Sequence, residues 1–240
     1  MTATGIRETP DLETASEAYA RRFAGRAGAY LLAEQETAVE AVLRDWAGGT
    51  VLDVGGGHAQ LLPILSRLGG RVAVLGSDLQ SLDRVKRRFP GCCALVGDLL
   101  ALPFADRSFD LVVAVRLVPH VRNWRRLIAE LCRVAARAVV VDYPRTTGFN
   151  ALTPLLFPLK KRLEGNTRPY RNFRDGELDD AFRSCAFEPN ARSAELFLPM
   201  VLHRRLGGAR ALRDLERLAK SLKLTQALGS PVVLRADRLG

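Results

Sequence analysis

The sequence predicts an α/β fold, a mostly parallel sheet with helices on both faces. Three observations point there. Short apolar runs rich in β-branched residues recur at 50–54, 71–76, 92–96, 109–115 and 138–141. The stretches 59–68, 81–89 and 123–136 between them repeat their apolar residues with helical period. With 240 residues, 48% of them hydrophobic, the chain is long enough for one full domain with a large core. Continuous apolar strands alternating with amphipathic helices indicate a sheet buried on both sides. Its crossovers are right-handed, so the carboxyl ends of the strands share one edge, and ligands sit in the crevice there.

Residues 12–47 read as two cap helices. The first, 14–32, carries Ala15, Ala18, Tyr19, Ala20 and Phe23 and is interrupted near Gly25 and Gly28. The second, 34–46, sets Val39, Val42, Leu43 and Trp46 at helical spacing, and Gly48-Gly49 stops it. Residues 50–142 form the core alternation. In it Ser81 is expected to cap the helix that Pro90-Gly91 closes. The helix at 123–136 aligns Leu127, Ile128, Leu131 and Val134 on one face. Residues 143–190 read as a substrate-side lid: an apolar stretch at 149–163 broken by Pro154 and Pro158, a polar loop with aromatics at 168–174, and a helix at 175–185. Residues 191–240 supply strands at 192–202 and 231–236 with a helix at 209–224 between them, which closes a seven-stranded sheet.

Composition excludes several classes. No run of about 18 apolar residues exists, so no membrane span is expected. The polar N-terminus lacks the apolar segment of a secretory signal, and the protein reads as cytoplasmic. Cys92, Cys93, Cys132 and Cys185 form no C-x-x-C pair, and with His58, His120 and His203 they complete no metal-ligand spacing. No metal is expected. The net charge is +10, and residues 151–240 contribute most of it, with 17 Lys/Arg against 10 Asp/Glu. Such a surface attracts anions: nucleic acid, membrane headgroups or an acidic metabolite. The basic residues are spread through helices without interleaved aromatics, which disfavours nucleic acid as the partner.

The chemistry concentrates in three places. Asp53-Val54-Gly55-Gly56-Gly57-His58-Ala59 joins the first strand to its helix. Glycine there allows unusual backbone angles and lets a ligand touch the main chain. The helix that follows aims free N–H groups at the crevice. Dinucleotide binders need G-x-G-x-x-G, and Gln60 stands where the last glycine belongs. The pattern D-x-G-x-G-x-G/A does fit. A tight strand-to-helix turn without a ligand is the alternative. Asp78, after the second strand, can accept from both hydroxyls of a ribose. Asp98, after the third, can accept from an adenine amino group, with Leu99 against the ring.

The stretch from Gly97 to Asp110 follows G-D-x-x-x-L-P-F-x-D-x-S-F-D. Here the chain resembles class I S-adenosylmethionine-dependent methyltransferases, in the branch of quinone-biosynthesis and small-molecule enzymes. The resemblance covers residues 15–145 by motif and the rest by strand order. It implies a Rossmann-like, seven-stranded, mostly parallel sheet with an antiparallel last strand. It implies S-adenosyl-L-methionine as cofactor and S-adenosylhomocysteine as product. Asp53, Gly55 and Gly57 match the motif around the methionine moiety. Asp78 matches the ribose-binding acid with Leu79 beside the adenine, and Asp98 and Leu99 match the adenine contacts. The segment Arg116 to Val121 matches the part that lines the site under the sulfonium, and Tyr19, Arg22 and Phe23 resemble a covering helix. Three departures stand out: Ala59 for a third glycine, Ala135-Ala136-Arg137 for a Pro-Gly-Gly turn, and Arg116 where a neutral residue is usual. Arg116 either turns outward or pairs with an acidic substrate.

The reaction so implied is an in-line displacement, in which the protein chiefly aligns the partners and excludes water. His120 is the candidate base where the acceptor must lose a proton. Tyr143, Phe149, the region of Phe157, Tyr170, Arg171, Phe173 and Arg174 are expected to build the site of a small, amphipathic or acidic acceptor. Two alternatives remain: a nucleic-acid or protein methyltransferase, and a protein that binds the cofactor without catalysis. Asp142-Tyr143-Pro144 superficially resembles the D/N-P-P-Y motif of nucleic-acid amino-methyltransferases, but lies after the wrong strand.

Overall fold

The computed structural model describes residues 8–68, 70–148, 171–207 and 209–240. Seven strands form one sheet: β1 (Val51–Val54), β2 (Val72–Gly76), β3 (Cys93–Val96), β4 (Phe109–Ala114), β5 (Ala135–Tyr143), β6 (Phe187–Ala194) and β7 (Val232–Arg238). Their order is β3-β2-β1-β4-β5-β7-β6. β1 to β5 are parallel, and β7 runs antiparallel to both β5 and β6. The first crossover leaves from β1 towards β2, while β4 lies on the other side of β1. That reversal of direction opens a crevice at the carboxyl edge beside β1 and β4.

Alternation along the strands sorts the core into two layers. Leu111 and Val113 of β4 pack with Val51, Val140 and Leu65 on one face. Val112 and Ala114 pack with Leu52, Val139 and Ile128 on the other. Helices α3 (Gly25–Val42) and α4 (Leu62–Arg67) cover the first face, and α6 (Trp124–Val134) and α7 (Asp175–Arg183) cover the second. Before α3 lie the short α1 (Asp11–Thr14) and α2 (Glu17–Arg21), and α5 (Asp83–Arg88) follows β2. The tail between β6 and β7 holds α8 (Met200–Arg205), α9 (Arg210–Ser221) and α10 (Leu224–Leu228). Among the described residues no helix is long and apolar enough to cross a membrane.

Several expected boundaries differ; the fifth strand, for one, runs from Ala135 to Tyr143 instead of 138–141, and the sixth begins at Phe187. The cap helices do not divide near residue 33; the chain breaks at the extended Ala24, and α3 then runs unbroken, since nothing between Leu32 and Glu34 stops a helix. The helix expected at 59–68 begins only at Leu62, because Ala59 is left-handed, with φ 61°. Ser81 does not cap α5; its hydroxyl donates to the Asp78 carbonyl at 2.7 Å. The strand expected at 192–202 ends at Ala194. Beyond it, the N–H groups of Phe197 and Leu198 donate to the Glu216 carboxylate at 2.9 and 2.8 Å, so no neighbouring strand receives them.

Candidate cofactor site at the carboxyl edge

The turn after β1 bends where its glycines permit. Gly55 is left-handed, with φ 74°, and its N–H donates to the Leu75 carbonyl at 2.7 Å. At Gly57 the main chain passes so close to the loop after β2 that a Cβ would stand 1.9 Å from the Ser81 carbonyl oxygen. The glycines thus set the turn against β2 and leave its upper side facing the crevice. Asp53 lies beneath, 2% exposed, and burial pushes its carboxyl up to about 7.

Arg116, two residues beyond the end of β4, is left-handed, with φ 60°. A bulky residue holds that angle only where its surroundings enforce it. Here its N–H donates to Asp142 Oδ1 at 2.6 Å, and its guanidinium lies 4.0 Å from the centre of the Phe23 ring. The side chain is 9% exposed, so Arg116 turns inward. Its Nη1 donates to Gln60 Oε1 at 3.0 Å. Gln60 donates in turn to Gln35 of α3, whose Nε2 reaches Glu195 Oε1 at 3.3 Å. Burial pushes Glu195 up to about 8, with Asp142 adding to the rise, and pushes Asp142 itself up to about 6. Polar groups from α3, the residue after the glycine turn, the segment after β4, β5 and the segment after β6 therefore meet in one largely buried chain.

An N-terminal strap crosses this edge. Glu8 accepts from the N–H groups of Arg122 and Asn123 at 2.7 and 3.2 Å. Asp11, fully buried, accepts from Ser77 N at 2.7 Å, and Glu17 pairs with Arg84 and Arg87 of α5 at 3.2 and 2.6 Å. The strap thereby brings Tyr19 and Phe23 each to 5.9 Å from the His58 ring, with Arg22 over Tyr19 at 5.3 Å. Burial, with Arg116, Arg84 and Arg88 nearby, pushes His58 down to about 3, so its ring is neutral at pH 7.

Thr14, Tyr19, Asp53, Gly55, His58 and Arg116 line a cavity of about 20 Å³ in this cluster. Among the described residues, neither ring nitrogen of His58 nor Arg116 Nη2 has a hydrogen-bond partner. The neutral imidazole offers one donor and one acceptor and Arg116 Nη2 a further donor, and buried groups left over in this way fit a polar ligand. The donor set suits the carboxylate end of an amino-acid group. The volume, about that of one water, admits such a group only if Tyr19, Phe23 and Arg116 part.

The remaining candidates lie along two arms. On one, Asp78 is exposed with Oδ1 accepting from Gln80 N at 2.9 Å, and Leu79 is 62% exposed. Asp98 is half-buried and accepts from Leu100 N at 2.8 Å. Leu99 is fully buried among Leu75 and Leu102, so its side chain belongs to the core and presents no face to a ring. On the other arm, His120 closes a short turn at Val118–His120, and Arg171 N donates to the Pro119 carbonyl at 3.0 Å. Arg171 pairs with Glu177. Tyr143 and Phe173 are fully buried with ring centres 6.3 Å apart, and Phe173 also packs on Trp124 at 5.1 Å. The structure puts both in the core, where they brace the rim from below. Phe149, Phe157 and Tyr170 lie outside the described residues.

Several supports escaped the sequence reading. Glu130 of α6, 5% exposed, accepts from Leu102 N at 2.8 Å, and Arg133 donates to the carbonyls of Leu102 and Phe104, each at 2.8 Å. They clamp the L-P-F stretch that follows Asp98. Asp110, the last residue of the pattern, accepts from Thr50 N at 2.8 Å and so ties β4 to the start of β1. Asp11, Gln35 and Glu195 carried no local signal, because each finds its partner far along the chain.

Residues 52–139, which hold the glycine turn, both loop acids and the turn of His120, match the family model of the methyltransferase domain. That stretch carries the residues in which the sequence resembles class I, S-adenosylmethionine-dependent methyltransferases. The chain is 34% identical over 103 residues to a demethylmenaquinone methyltransferase of Renibacterium salmoninarum, an alignment covering 42% of this chain and 44% of that one. It is 35% identical over 94 residues to a phthiotriol/phenolphthiotriol dimycocerosates methyltransferase of Mycobacterium tuberculosis, covering 38% and 35%. The alignments thus span less than half of these relatives. The domain's fold resembles a Thermotoga maritima S-adenosylmethionine-dependent methyltransferase with a TM-score of 0.69 at 18% identity, covering 96% of this chain and 99% of that one. It also resembles a Synechocystis magnesium protoporphyrin IX methyltransferase, solved with bound S-adenosylhomocysteine, with a TM-score of 0.64 at 12% identity, covering 94% and 96%.

Proposed function

We propose that the protein transfers a methyl group from S-adenosylmethionine to a small-molecule acceptor that is amphipathic or acidic. The observation that carries this reading is the meeting of the Gly55–Gly57 turn with the unpartnered donors of His58 and Arg116 at the carboxyl edge. When bound, the cofactor supplies a methyl made electrophilic by its sulfonium. The work of the chain is then to hold and to shield. The turn, His58 and Arg116 hold the amino-acid end. Asp78 and Asp98 accept from hydroxyl and amino groups, with Leu79 against the adenine. Tyr19, Arg22 and Phe23 of the strap keep water from the reacting atoms. His120 takes a proton where the acceptor has one to lose.

The acceptor class is supported by the basic C-terminal third and by the relatives, whose names refer to a demethylmenaquinone and to phthiotriol dimycocerosates. The test is thermal unfolding with and without millimolar S-adenosylmethionine or S-adenosylhomocysteine. A ligand at a hundred times its Kd stabilises by about 2.7 kcal/mol, or very roughly 5–10 °C for a chain of this size. The shift should vanish in Asp98→Ala. If neither compound moves the wild-type midpoint, the reading fails. Labelled cofactor with a metabolite extract, followed by mass identification of the product, then names the acceptor.

A further inference from the structure

Arg116 is held at three points. Its N–H donates to Asp142 Oδ1 at 2.6 Å, its guanidinium rests on the Phe23 ring, and its Nη1 donates to Gln60 Oε1 at 3.0 Å. Gln60 Nε2 then donates to Gln35 Oε1, and Gln35 Nε2 donates to Glu195 Oε1 at 3.3 Å. Each amide accepts on one side and donates on the other, so the bonds run head to tail from the guanidinium to a carboxyl oxygen. Bonds in such a series polarise one another. The far end is anchored in rigid elements. Gln35 lies within α3 and is 1% exposed. Glu195 is buried to the same degree, and its N–H donates to the Pro231 carbonyl at 2.9 Å.

This chain does more than bury an arginine. A carboxylate against the guanidinium would neutralise it most directly. Among the described residues none hydrogen-bonds to the guanidinium: Asp142 takes the main-chain N–H, and two neutral amides stand between Arg116 and Glu195. The positive charge is thus held in place without being paired. Nη2 is left without a partner, and Arg116 lines the cavity that Gly55 and His58 also line. Tyr19 and Phe23, which close over this cavity, are half-buried and belong to the strap, whereas Gln35 and Glu195 are buried. Opening therefore moves the two rings and leaves Arg116 where Gln60 and Asp142 keep it.

We propose that Gln60, Gln35 and Glu195 are positioning residues: they hold Arg116 so that its Nη2 donates to the carboxylate of the cofactor's amino-acid end, and they govern the affinity for that end alone. The identity of the anion rests on the methyl-transfer reading; the positioning rests on the bonds from Arg116 to Glu195. A guanidinium that is already held loses little side-chain freedom when the carboxylate arrives. Releasing it adds that loss to the cost of binding, roughly threefold to tenfold in Kd.

The test is titration calorimetry of the full chain with S-adenosylhomocysteine and with methylthioadenosine, the same nucleoside thioether without the amino-acid end. The wild type should bind S-adenosylhomocysteine the more tightly. Arg116→Met should weaken that binding roughly tenfold to a hundredfold. Gln35→Leu and Glu195→Leu should each weaken it roughly threefold to tenfold and leave methylthioadenosine unchanged. Glu195→Gln, which keeps the acceptor for Gln35, should match the wild type. In an Arg116→Met background Gln35→Leu should have no further effect. Gln60→Met, at the half-buried link, gives the same reading where Gln35→Leu does not fold. An unchanged affinity for S-adenosylhomocysteine overturns the proposal. So do equal losses for both ligands, or losses that add to that of Arg116→Met, which leave the chain a structural role only. Equal wild-type affinity for the two ligands overturns it while the nucleoside site stands, and binding of neither removes the methyl-transfer reading as well.

Discussion

The glycine turn and helix α9 are built by opposite rules. In the turn, the residue types follow from the backbone: Gly55 from its left-handed angle, Gly57 from a carbonyl where its Cβ would stand. Both constraints sit within a few residues of the chain they shape or against the next loop. In α9 the residue types taken alone point the wrong way. Leucines that would ordinarily face a core face out, because Glu216 is the partner that a loop nearly twenty residues away requires. The turn is decided by local geometry, and the helix by a long-range polar anchor.

The largest effect expected from this contrast is at Gly57. A valine there would set its Cβ 1.9 Å from a backbone carbonyl oxygen and 2.9 Å from the Ala15 methyl. Gly57→Val should destabilise by about 3 kcal/mol or more by chemical denaturation. A loss well under that would mean that the loop after β2 yields and that the turn is less constrained than its contacts imply.

Glu216→Ala tests the other rule. It strands the buried N–H of Leu198, the part-buried N–H of Phe197 and the partner of a buried histidine, and should cost about 2–3 kcal/mol. Leu218→Ala should lie within roughly 0.5 kcal/mol of the wild type. Were the leucine the costlier substitution, α9 would pack by its apolar face after all.

Glu195 gives a pH-dependent version of the same test. Its folded value of about 8 lies above the ordinary 4.5. The native state therefore keeps a proton that the unfolded chain releases. The stability this provides is fully present below about pH 4.5 and is lost as the pH rises through 8. Glu195→Gln keeps an acceptor for Gln35 and cannot ionise. It should match the wild type near pH 4.5 and exceed it by on the order of 2 kcal/mol near pH 9, read as Tm against pH. Parallel curves would mean that Glu195 ionises freely.

The smallest stability effect belongs to Asp98→Ala, which loses one hydrogen bond to Leu100 N, about 1 kcal/mol. Its signature is functional: the cofactor-induced rise in Tm disappears while the fold remains. If that rise survives, the third-strand acid has no share in the site.

Much of the sheet was legible because buried parallel strands are written as continuous apolar runs; β1, β2 and β4 fall within a residue or so of their expected bounds. The strand expected at 192–202 misled because an apolar run cannot reveal who receives its N–H groups, and a glutamate received two of them. Tyr143 and Phe173 read as lid residues because aromatics in a polar segment resemble a binding surface, yet they close over the core with Trp124. Arg116 read as an anomaly until its neighbours, Phe23, Gln60 and Asp142, came together around it.

By itself the sequence determined the alternation of strands and helices, the glycine turn and the acids that follow β2 and β3. Each depends on periodicity, backbone angle or position within a few residues. Only the tertiary structure decided which polar groups meet. The chain Arg116–Gln60–Gln35–Glu195 joins residues as much as 160 positions apart. So too with α9, whose leucines face out because its glutamate is held in. Burial of a charged group depends on partners that folding delivers, and those partners leave no trace in local pattern.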